Sequence, residues 1–208
     1  DYVALKIPRW DLDKFKKVSH EITTEMKSVG EIMALGRNFE EVLQKGLRML
    51  QVGFVGFTGN ARLGIETKNI EKELKVPTPK RILALYEAIK NDYSTEKIMA
   101  LTGIDKWFLD KMKNIVDMEK TLRKDQSKST IKEAKKLGFS DKRIGDLIGV
   151  KGLEIRALRK KWNIVPSVFQ IDTLAGEFPA KTNYLYLTYN GNHHDIQPEG
   201  KQAVIVLG

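Results

Sequence analysis

The sequence predicts a mainly α-helical protein with a small β contribution. Apolar residues recur at helical spacing across residues 65–165, whereas short alternating or continuous apolar runs occur near the two ends. An ungapped repeat inside the helical segment further predicts duplicated helical hairpins. With 208 residues, of which 41% are hydrophobic and 30% charged, the composition is typical of a globular protein rather than a disordered one.

Residues 1–60 combine two predicted strands with one helix. The stretch DYVALKIPRW alternates loosely, and its Pro8 requires an edge or strand-end position. The second strand is the short apolar run GEIMALG at residues 30–36. Asn38 is expected to cap the following helix, with Glu41 returning a hydrogen bond from the third helical position. The predicted apolar stripe of this helix is Phe39, Val42, Leu43, Leu47 and Leu50.

The middle of the chain is helical by its pattern. Pro77 and Pro79 mark a turn, after which the spacing predicts a helix over residues 80–90. A further helix is predicted over residues 104–122. Its aromatic, Met and aliphatic positions are expected to belong to the hydrophobic core rather than to a ligand site; they are Trp107, Phe108, Met112, Ile115 and Val116.

An internal repeat becomes visible when the sequence is shifted by 46 residues. YSTEKIMALTGIDKWFLDKM (residues 93–112) then aligns without a gap with FSDKRIGDLIGVKGLEIRAL (residues 139–158). The serine and the glycine of the first copy, Ser94 and Gly103, recur in the second copy. The serine is expected to cap a short helix, and the glycine to end it in the left-handed conformation. The repeat therefore predicts two similar helical subdomains packed as one unit.

The C-terminal part changes character again. An alternating, Tyr-rich strand is predicted from Tyr184 to Tyr189, and Asn190-Gly191 closes it with a strong turn signal. The last eight residues, KQAVIVLG, form an apolar run that reaches a glycine, as in the first strand of a nucleotide-binding α/β unit. Because the chain begins without Met and stops on a strand, both ends are expected to be cuts within a longer protein.

The positive charge is concentrated in the middle of the chain. The net charge is +9, and residues 61–165 alone carry 25 basic and 15 acidic side chains. One interpretation is a duplicated helix-turn-helix nucleic-acid binder, with Lys151, Gly152 and Glu154 near base edges and the later basic residues on phosphates. These later residues are Arg156, Arg159, Lys160 and Lys161. The equivalent helix of the first copy is acidic and aromatic, which suits a major groove poorly. A Lys-rich, solvated helical surface is therefore favoured.

The residue chemistry supports no enzymatic reaction. The absence of cysteine excludes disulfides, thiolate catalysis and cysteine-based zinc sites. The run His193-His194-Asp195 offers metal ligands, but a solvated turn is the commoner reading of such a run. Lys6 and Arg9, or Lys27 with Glu31, suit an anion or metal pocket no better than ordinary surface pairs. No phosphate-binding glycine motif is present, and no apolar run is long enough to span a bilayer.

Five ordered tracts of the chain nevertheless resemble a known family. They are IPRWDLDKF, MKSVGEIMALGRNFEEVLQKGLRML, GIDKWFL, GFSDKRI and IDTLAGEFPAKTNYLYLTYNGNHHD. Together they resemble the middle of the carbamoyl phosphate synthetase large subunit, and MKSVGEIMALGR is the most specific of them. In that family two homologous synthetase halves, each with an ATP-grasp nucleotide site, flank a helical oligomerisation domain.

The resemblance implies a domain organisation. Residues 1–59 would be the C-terminal tail of the first, carboxyphosphate ATP-grasp domain, residues 60–200 the oligomerisation domain, and residues 201–208 the truncated first strand of the second half. Catalytic, cofactor-binding and metal-binding residues of the family lie outside these segments, so none is carried over. Met33 and Leu35 are implied to line the family's carbamate tunnel.

The implied function is that of an interdomain scaffold and self-association domain without an intact active site. The parent enzyme would make carbamoyl phosphate from bicarbonate, ATP and glutamine-derived ammonia, with Mg or Mn, for arginine or pyrimidine biosynthesis. Its implied partners are the two flanking synthetase halves and a glutaminase subunit or domain, with neither nucleic acid nor membrane. The implied location is cytoplasmic, with a mitochondrial one as the alternative. The duplicated helix-turn-helix protein remains the alternative function.

Overall fold

The computed structural model describes residues 2–63, 69–171 and 184–196. Within these ranges helices predominate and strands are few and short, which confirms the predicted fold class. The strands are β1 (Val3–Arg9), β2 (Gly30–Gly36), β3 (Ser167–Gln170) and β4 (Leu185–Thr188). The helices are α1 (Phe39–Met49), α2 (Ile70–Lys75), α3 (Arg81–Lys90), α4 (Thr95–Thr102), α5 (Lys106–Lys124), α6 (Lys128–Lys136), α7 (Asp141–Ile148) and α8 (Gly152–Lys161). The strand expected at residues 201–208 lies outside the described residues.

The first sheet is an antiparallel pair of β1 and β2. Its register places Ala4 opposite Leu35 and Lys6 opposite Met33, so Met33 and Leu35 share one face of the sheet. The opposite face packs against α1 and the hydrophobic core. Pro8 lies one residue before the end of β1, which agrees with its predicted strand-end position.

Helix α1 begins as predicted, with one difference. The Oδ1 atom of Asn38 accepts a hydrogen bond from the backbone N–H of Glu41 at 2.8 Å, which confirms the cap. The carboxylate of Glu41 binds the backbone N–H of Arg37 at 3.0 Å instead of that of Asn38. All five residues of the predicted apolar stripe are buried, so the helix faces the core as expected.

The structure confirms the 46-residue repeat. Helices α4 and α7 have the same length and are offset by 46 residues, and each is followed by a glycine with positive φ, Gly103 at 71° and Gly149 at 82°. Ser94 and Ser140 each accept a hydrogen bond from the backbone N–H three residues later, at 3.1 and 3.0 Å. These caps begin the two short helices where the sequence placed them.

The repeat extends one helix further toward the N-terminus than the aligned stretches. The backbone N–H groups of Tyr93 and Phe139 each donate to the carbonyl five residues earlier, both at 3.0 Å. The preceding residues, Asp92 and Gly138, both have positive φ, of 57° and 86°. Helices α3 and α6 therefore end in the same way, and each copy is a unit of three helices.

One hydrophobic core unites α1 with both copies of the repeat. Helix α1 contributes Leu43 and Leu47, and every residue of the core cluster is buried. The fully buried members from the repeat include Ile98, Leu109, Ile115, Ile131, Ile144 and Ile155. Because the copies share one core, they pack as a single unit, as the repeat predicts.

Two aromatic residues of α5 do not occupy the predicted positions. Trp107 and Phe108 were expected in the core, but they are 52% and 41% exposed. Both lie in the first turn of α5 and make edge-to-face contacts with Phe39. The buried stripe begins one residue later, at Leu109, and the other three predicted core positions are buried. A helical stripe can extend past the point where the facing elements end, and the sequence does not mark that point.

The second sheet pairs β4 antiparallel to β3, a strand that periodicity did not indicate. The chain turns back after Asn190-Gly191, as predicted, and the backbone N–H of Asp195 donates to the carbonyl of Val168 at 3.0 Å. Phe169 and Tyr186 stack across the pair, with ring centroids 5.8 Å apart. In the described ranges no helix is both long enough and apolar enough to cross a membrane.

Gly138 lies against the backbone of α1. A Cβ atom at this position would lie 2.9 Å from the Cα of Glu41, a shorter distance than Cβ atoms keep from other heavy atoms in real proteins. A Cβ at Gly103, which also has positive φ, would meet nothing within 4 Å. Alanine substitutions at the two glycines therefore separate the energetic cost of the backbone conformation from the cost of close packing.

We predict that Gly138→Ala destabilises the protein more than Gly103→Ala. Both substitutions carry the left-handed backbone cost of about 1–2 kcal/mol, and only the first also forces α6 away from α1. The measurement is the free energy of unfolding in urea for both variants and the unsubstituted chain. Equal losses for the two variants would show that the contact between Gly138 and α1 carries no strain.

Candidate functional site

Polar side chains on one face of α1 form a buried junction that joins most of the fold. They recur at spacings of three and four residues, which places them on the same side of the helix. We call this set the polar junction; it consists of Asn38, Glu41, Gln44, Lys45 and Arg48, the backbone carbonyls of residues 136–138, and Thr188 and Asn190.

The polar junction caps the C-terminal end of α6. The last carbonyl groups of a helix have no partner within the helix. Here the side-chain nitrogens of Asn38, Gln44 and Arg48 donate to the three successive carbonyls of residues 136–138, at 3.3, 2.8 and 2.9 Å. Side chains of α1 therefore complete the second copy of the repeat.

Glu41 is the centre of the polar junction and is only 1% exposed. One carboxylate oxygen accepts hydrogen bonds from the hydroxyl of Thr188 at 2.8 Å and from the amide of Asn190 at 3.0 Å. The other oxygen lies 2.7 Å from the Nζ atom of Lys45. A buried carboxylate requires such partners, so its position fixes β4 and the turn after it against α1.

Lys45 and Asn190 connect the remaining elements. The Nζ atom of Lys45 donates to the carbonyl of Leu35 in β2 at 2.9 Å and to that of Leu187 in β4 at 2.6 Å. The amide of Asn190 also donates to the carbonyl of Lys136 at 2.9 Å. The first sheet, the second sheet and the second copy of the repeat thus meet at one face of α1.

Burial also affects the cation at the end of this face. Burial lowers the pKa of Arg48 to about 10, and the charge of Glu41 opposes the shift. The guanidinium therefore stays protonated at neutral pH and is compensated by the nearby carboxylate and by the carbonyl of Gly138.

A second buried polar group surrounds Arg143 of α7. Its Nε atom donates to the hydroxyl of Thr58 at 3.0 Å, and its Nη2 atom lies 3.0 Å from the carboxylate of Glu119. Arg123 reaches the same carboxylate oxygen at 2.9 Å. A Cβ at Gly59 would lie 2.4 Å from the Cζ of Arg143, so the loop that contains Gly59 packs directly on the guanidinium. No sequence pattern predicts this group, because its members are far apart along the chain.

The carboxylates of these ion pairs have lowered pKa values. Burial raises the pKa of Glu119, but the charge of Arg143 and hydrogen bonds from Arg123 and Thr58 outweigh it. Burial likewise raises the pKa of Asp141, and Lys135 together with Arg159 outweighs it. Both carboxyls are therefore more acidic in the folded protein than in an unfolded chain.

The helix-turn-helix interpretation finds little support in these contacts. The Nε atom of Arg159, expected on phosphate, donates to both carboxylate oxygens of Asp141 at 3.0 and 2.9 Å, and the side chain is 12% exposed. Glu154, expected near base edges, accepts a hydrogen bond from the backbone N–H of Lys151 and thereby caps α8. These two side chains serve the internal structure of the second copy.

The proposed tunnel residues lie on the outer face of the first sheet. Met33 and Leu35 point away from α1, Met33 is 59% exposed, and Leu35 is half-buried. The structure thus places the two side chains on one accessible surface. Their part in a tunnel stays a prediction.

Three of the other candidate ligand residues, His193, His194 and Lys6, form local contacts. The Nδ1 atom of His194 accepts a hydrogen bond from the backbone N–H of Val168 at 3.1 Å, and His193 contacts the ring of Phe169. Lys6 forms an exposed pair with Glu31 at 2.8 Å. Among the described residues no three His, Asp or Glu side chains are grouped so as to hold a metal ion.

Comparison with known families assigns this architecture to a class. The family model described as carbamoyl-phosphate synthetase large chain, oligomerisation domain, matches residues 31–163. The chain belongs to this family. The matched region begins inside residues 1–59, and the domain boundary near residue 59 stays a prediction.

Individual relatives cover the whole chain. It is 48% identical to the mitochondrial carbamoyl-phosphate synthase [ammonia] of Rattus norvegicus, to the carbamoyl phosphate synthase large chain of Sulfurisphaera tokodaii, and to the mitochondrial arginine-specific large chain of Schizosaccharomyces pombe. Each alignment covers 100% of this chain but only 14%, 20% and 18% of the respective relative. The chain therefore spans a fifth or less of the length of these relatives.

We predict that Glu41→Gln lowers the free energy of unfolding by about 3 kcal/mol, because it removes the buried charge that pairs with Lys45 and sets an amide N–H against groups that donate to the carboxylate. Glu133→Gln is the matched control. Its carboxylate pairs with Lys136 at the surface and is 52% exposed, so the change should stay within about 0.5 kcal/mol. Urea unfolding of both variants measures the difference. If Glu41→Gln lowered the free energy of unfolding no more than the control does, the central role assigned to Glu41 would be contradicted.

We also predict that the protein loses stability in acid through Glu119 and Asp141. A carboxyl with a lowered native pKa binds fewer protons than the unfolded chain does, so its contribution is present above the ordinary pKa, 4.5 for glutamate, and is lost as the pH falls. The measurement is the free energy of unfolding between about pH 7 and about pH 3. Glu119→Gln should flatten this decline, and an equally steep decline in that variant would contradict the assignment to Glu119.

Proposed function

We propose that the chain is the scaffold between the two synthetase halves of a carbamoyl phosphate synthetase large chain. Residues 1–59 would be the tail of the first ATP-grasp domain, residues 60–200 the oligomerisation domain, and residues 201–208 the beginning of the second half. The chain would hold the two halves in register and would contribute to self-association.

The polar junction is the observation that carries this proposal. It binds the first sheet, which the proposal assigns to the first half, to the second copy of the repeat and to β4, which precedes the second half in the sequence. A scaffold must hold the segment that enters it and the segment that leaves it in fixed relative positions. Shared buried hydrogen bonds and one common core fix these positions.

The activity proposed for the parent enzyme is synthesis of carbamoyl phosphate from bicarbonate, ATP and glutamine-derived ammonia, with Mg or Mn. A glutaminase subunit or domain would deliver the ammonia, and Met33 and Leu35 would line the carbamate tunnel. The names of the relatives, which include carbamoyl-phosphate synthase, support this activity. The chain alone would be inactive because the family's ATP-site residues fall outside it.

The names of the relatives also bear on the cellular location and on the biosynthetic pathway. We propose a cytoplasmic protein, with the mitochondrion as the alternative, since two of the three relatives are named as mitochondrial. Arginine and pyrimidine biosynthesis are the two proposed pathways, and one relative is named as arginine-specific. Neither nucleic acid nor a membrane is proposed as a partner.

We predict that the chain self-associates without catalysing ATP hydrolysis. Exposed apolar side chains on the helices, including Trp107 and Leu153 at 52% and 75% exposure, would carry the association. Sedimentation at about 0.1 M and about 1 M salt should then give the same or a stronger association at the higher salt. Bicarbonate-dependent ATPase and calorimetric titration with ATP should both show no signal.

Two results would overturn the proposal. Robust bicarbonate-dependent ATPase would show that the chain contains an active site. Tight binding to duplex DNA that weakens steeply with salt and with charge reversal at Lys160 would favour the nucleic-acid interpretation instead.

A further inference from the structure

An apolar cavity of about 400 Å³ lies between the inner face of β1, helix α1 and helix α3. Its walls come from three parts of the fold that are distant in the sequence, including Leu5, Ile7, Leu43, Leu47, Ile82 and Leu85. The segment after β1 reaches across to the same cavity. The backbone N–H of Ile22 donates to the carbonyl of Pro77 at 2.6 Å, and both residues line the cavity.

Two arginines interrupt this apolar lining. The Nε atoms of Arg9 and Arg81 are buried, and neither has a hydrogen-bond acceptor among the described residues. The carboxylate of Asp11 lies 3.6 Å from the Nε atom of Arg9, too far for a hydrogen bond. Arg81 uses its Nη2 atom to donate to the carbonyl of Lys75 at 2.8 Å, which leaves its Nε group free to bind an acceptor.

A buried N–H group without an acceptor is unusual and costly, and the Nε–H groups of both arginines are in this state among the described residues. Burial lowers the pKa of Arg81, and no carboxylate opposes that shift. An anion in the cavity would supply the missing acceptor and a compensating charge at the same time.

The size and chemistry of the cavity together define a ligand class. Small-molecule sites typically have volumes of about 300–1,000 Å³, are mainly apolar, and contain a few polar groups that orient the ligand. We propose that this cavity binds a small amphipathic carboxylate. Its apolar chain lies between β1, α1 and α3, and its carboxylate accepts hydrogen bonds from the Nε groups of Arg9 and Arg81.

This site is separate from the polar junction and from the tunnel face. The cavity lies on the inner side of the first sheet, whereas Met33 and Leu35 are on the outer side. A ligand that touches both β1 and α3 strengthens the attachment of the first sheet to the helical copies. The inference therefore does not depend on the proposed function.

The experiment is calorimetric titration of the full chain with decanoate, decan-1-ol and decylammonium below their aggregation concentrations. Decanoate should bind with one-to-one stoichiometry and at least about tenfold more tightly than decan-1-ol, since a hydrogen bond to a charged group is worth about one power of ten or more. Decylammonium should bind more weakly than both. Equal binding of decanoate and decan-1-ol, or no binding of decanoate, would overturn the proposal.

Three variants locate the ligand. Arg81→Gln should weaken decanoate binding at least about tenfold while leaving decan-1-ol unchanged. Arg156→Gln removes an exposed arginine of α8 and should change neither, as a matched control. Ile82→Trp fills the cavity and should abolish both. Decanoate binding that survives both Arg81→Gln and Ile82→Trp would place the ligand elsewhere. If circular dichroism shows that either variant is unfolded, the comparison of the three ligands on the unsubstituted chain still tests the proposal.

Discussion

The buried carboxylate of Glu41 is the constraint on which the rest of the structure depends. A charge taken out of water must be paired and hydrogen-bonded, and its partners here come from the turn before α1, from α1 itself and from the end of β4. Lys45, the charged partner, is held in turn by carbonyls of both sheets. Moving either sheet away from α1 would break hydrogen bonds that Glu41 or Lys45 makes in this site. This cost fixes the relative positions of elements that short two-stranded sheets could not fix by themselves.

Divergence between the two copies of the repeat explains why they contact α1 through different elements. The first copy packs α5 on α1, where Asn114 donates to Glu40 at 2.8 Å, and the second copy places the end of α6 there. At equivalent positions the first copy has the exposed Asp92, and the second has Gly138, which alone allows the backbone of α1 to approach. One turn later the first copy has Lys97, which pairs with Glu71 at the surface, and the second has the buried Arg143. The shared serine caps and glycine ends preserve the helices, and these few substitutions determine that the turn after α6, rather than the turn after α3, packs on α1.

Local features of the sequence predicted local structure well. The caps at Asn38, Ser94 and Ser140 and the left-handed Gly103 depend on neighbouring residues, and all four are as expected. The contact of Glu41 with Asn190 joins residues 149 positions apart and has no periodic signal, so it was not foreseen. Trp107 was misplaced for a related reason, because an apolar stripe shows which side of a helix is buried but not where the facing surface ends. The candidate site is built almost wholly from such long-range contacts.

Native-state hydrogen exchange tests the central claim most directly, namely that the polar junction makes the sheets and the helical copies one cooperative unit. The slowest amides of β2 and of α6 and α7 should exchange with the same opening free energy, equal to the free energy of global unfolding. They should also show the same dependence on low concentrations of urea, because one unit exposes one surface. If the amides of β2 exchange through an opening of clearly lower free energy while α6 and α7 stay protected, the first sheet is attached independently and the account is contradicted.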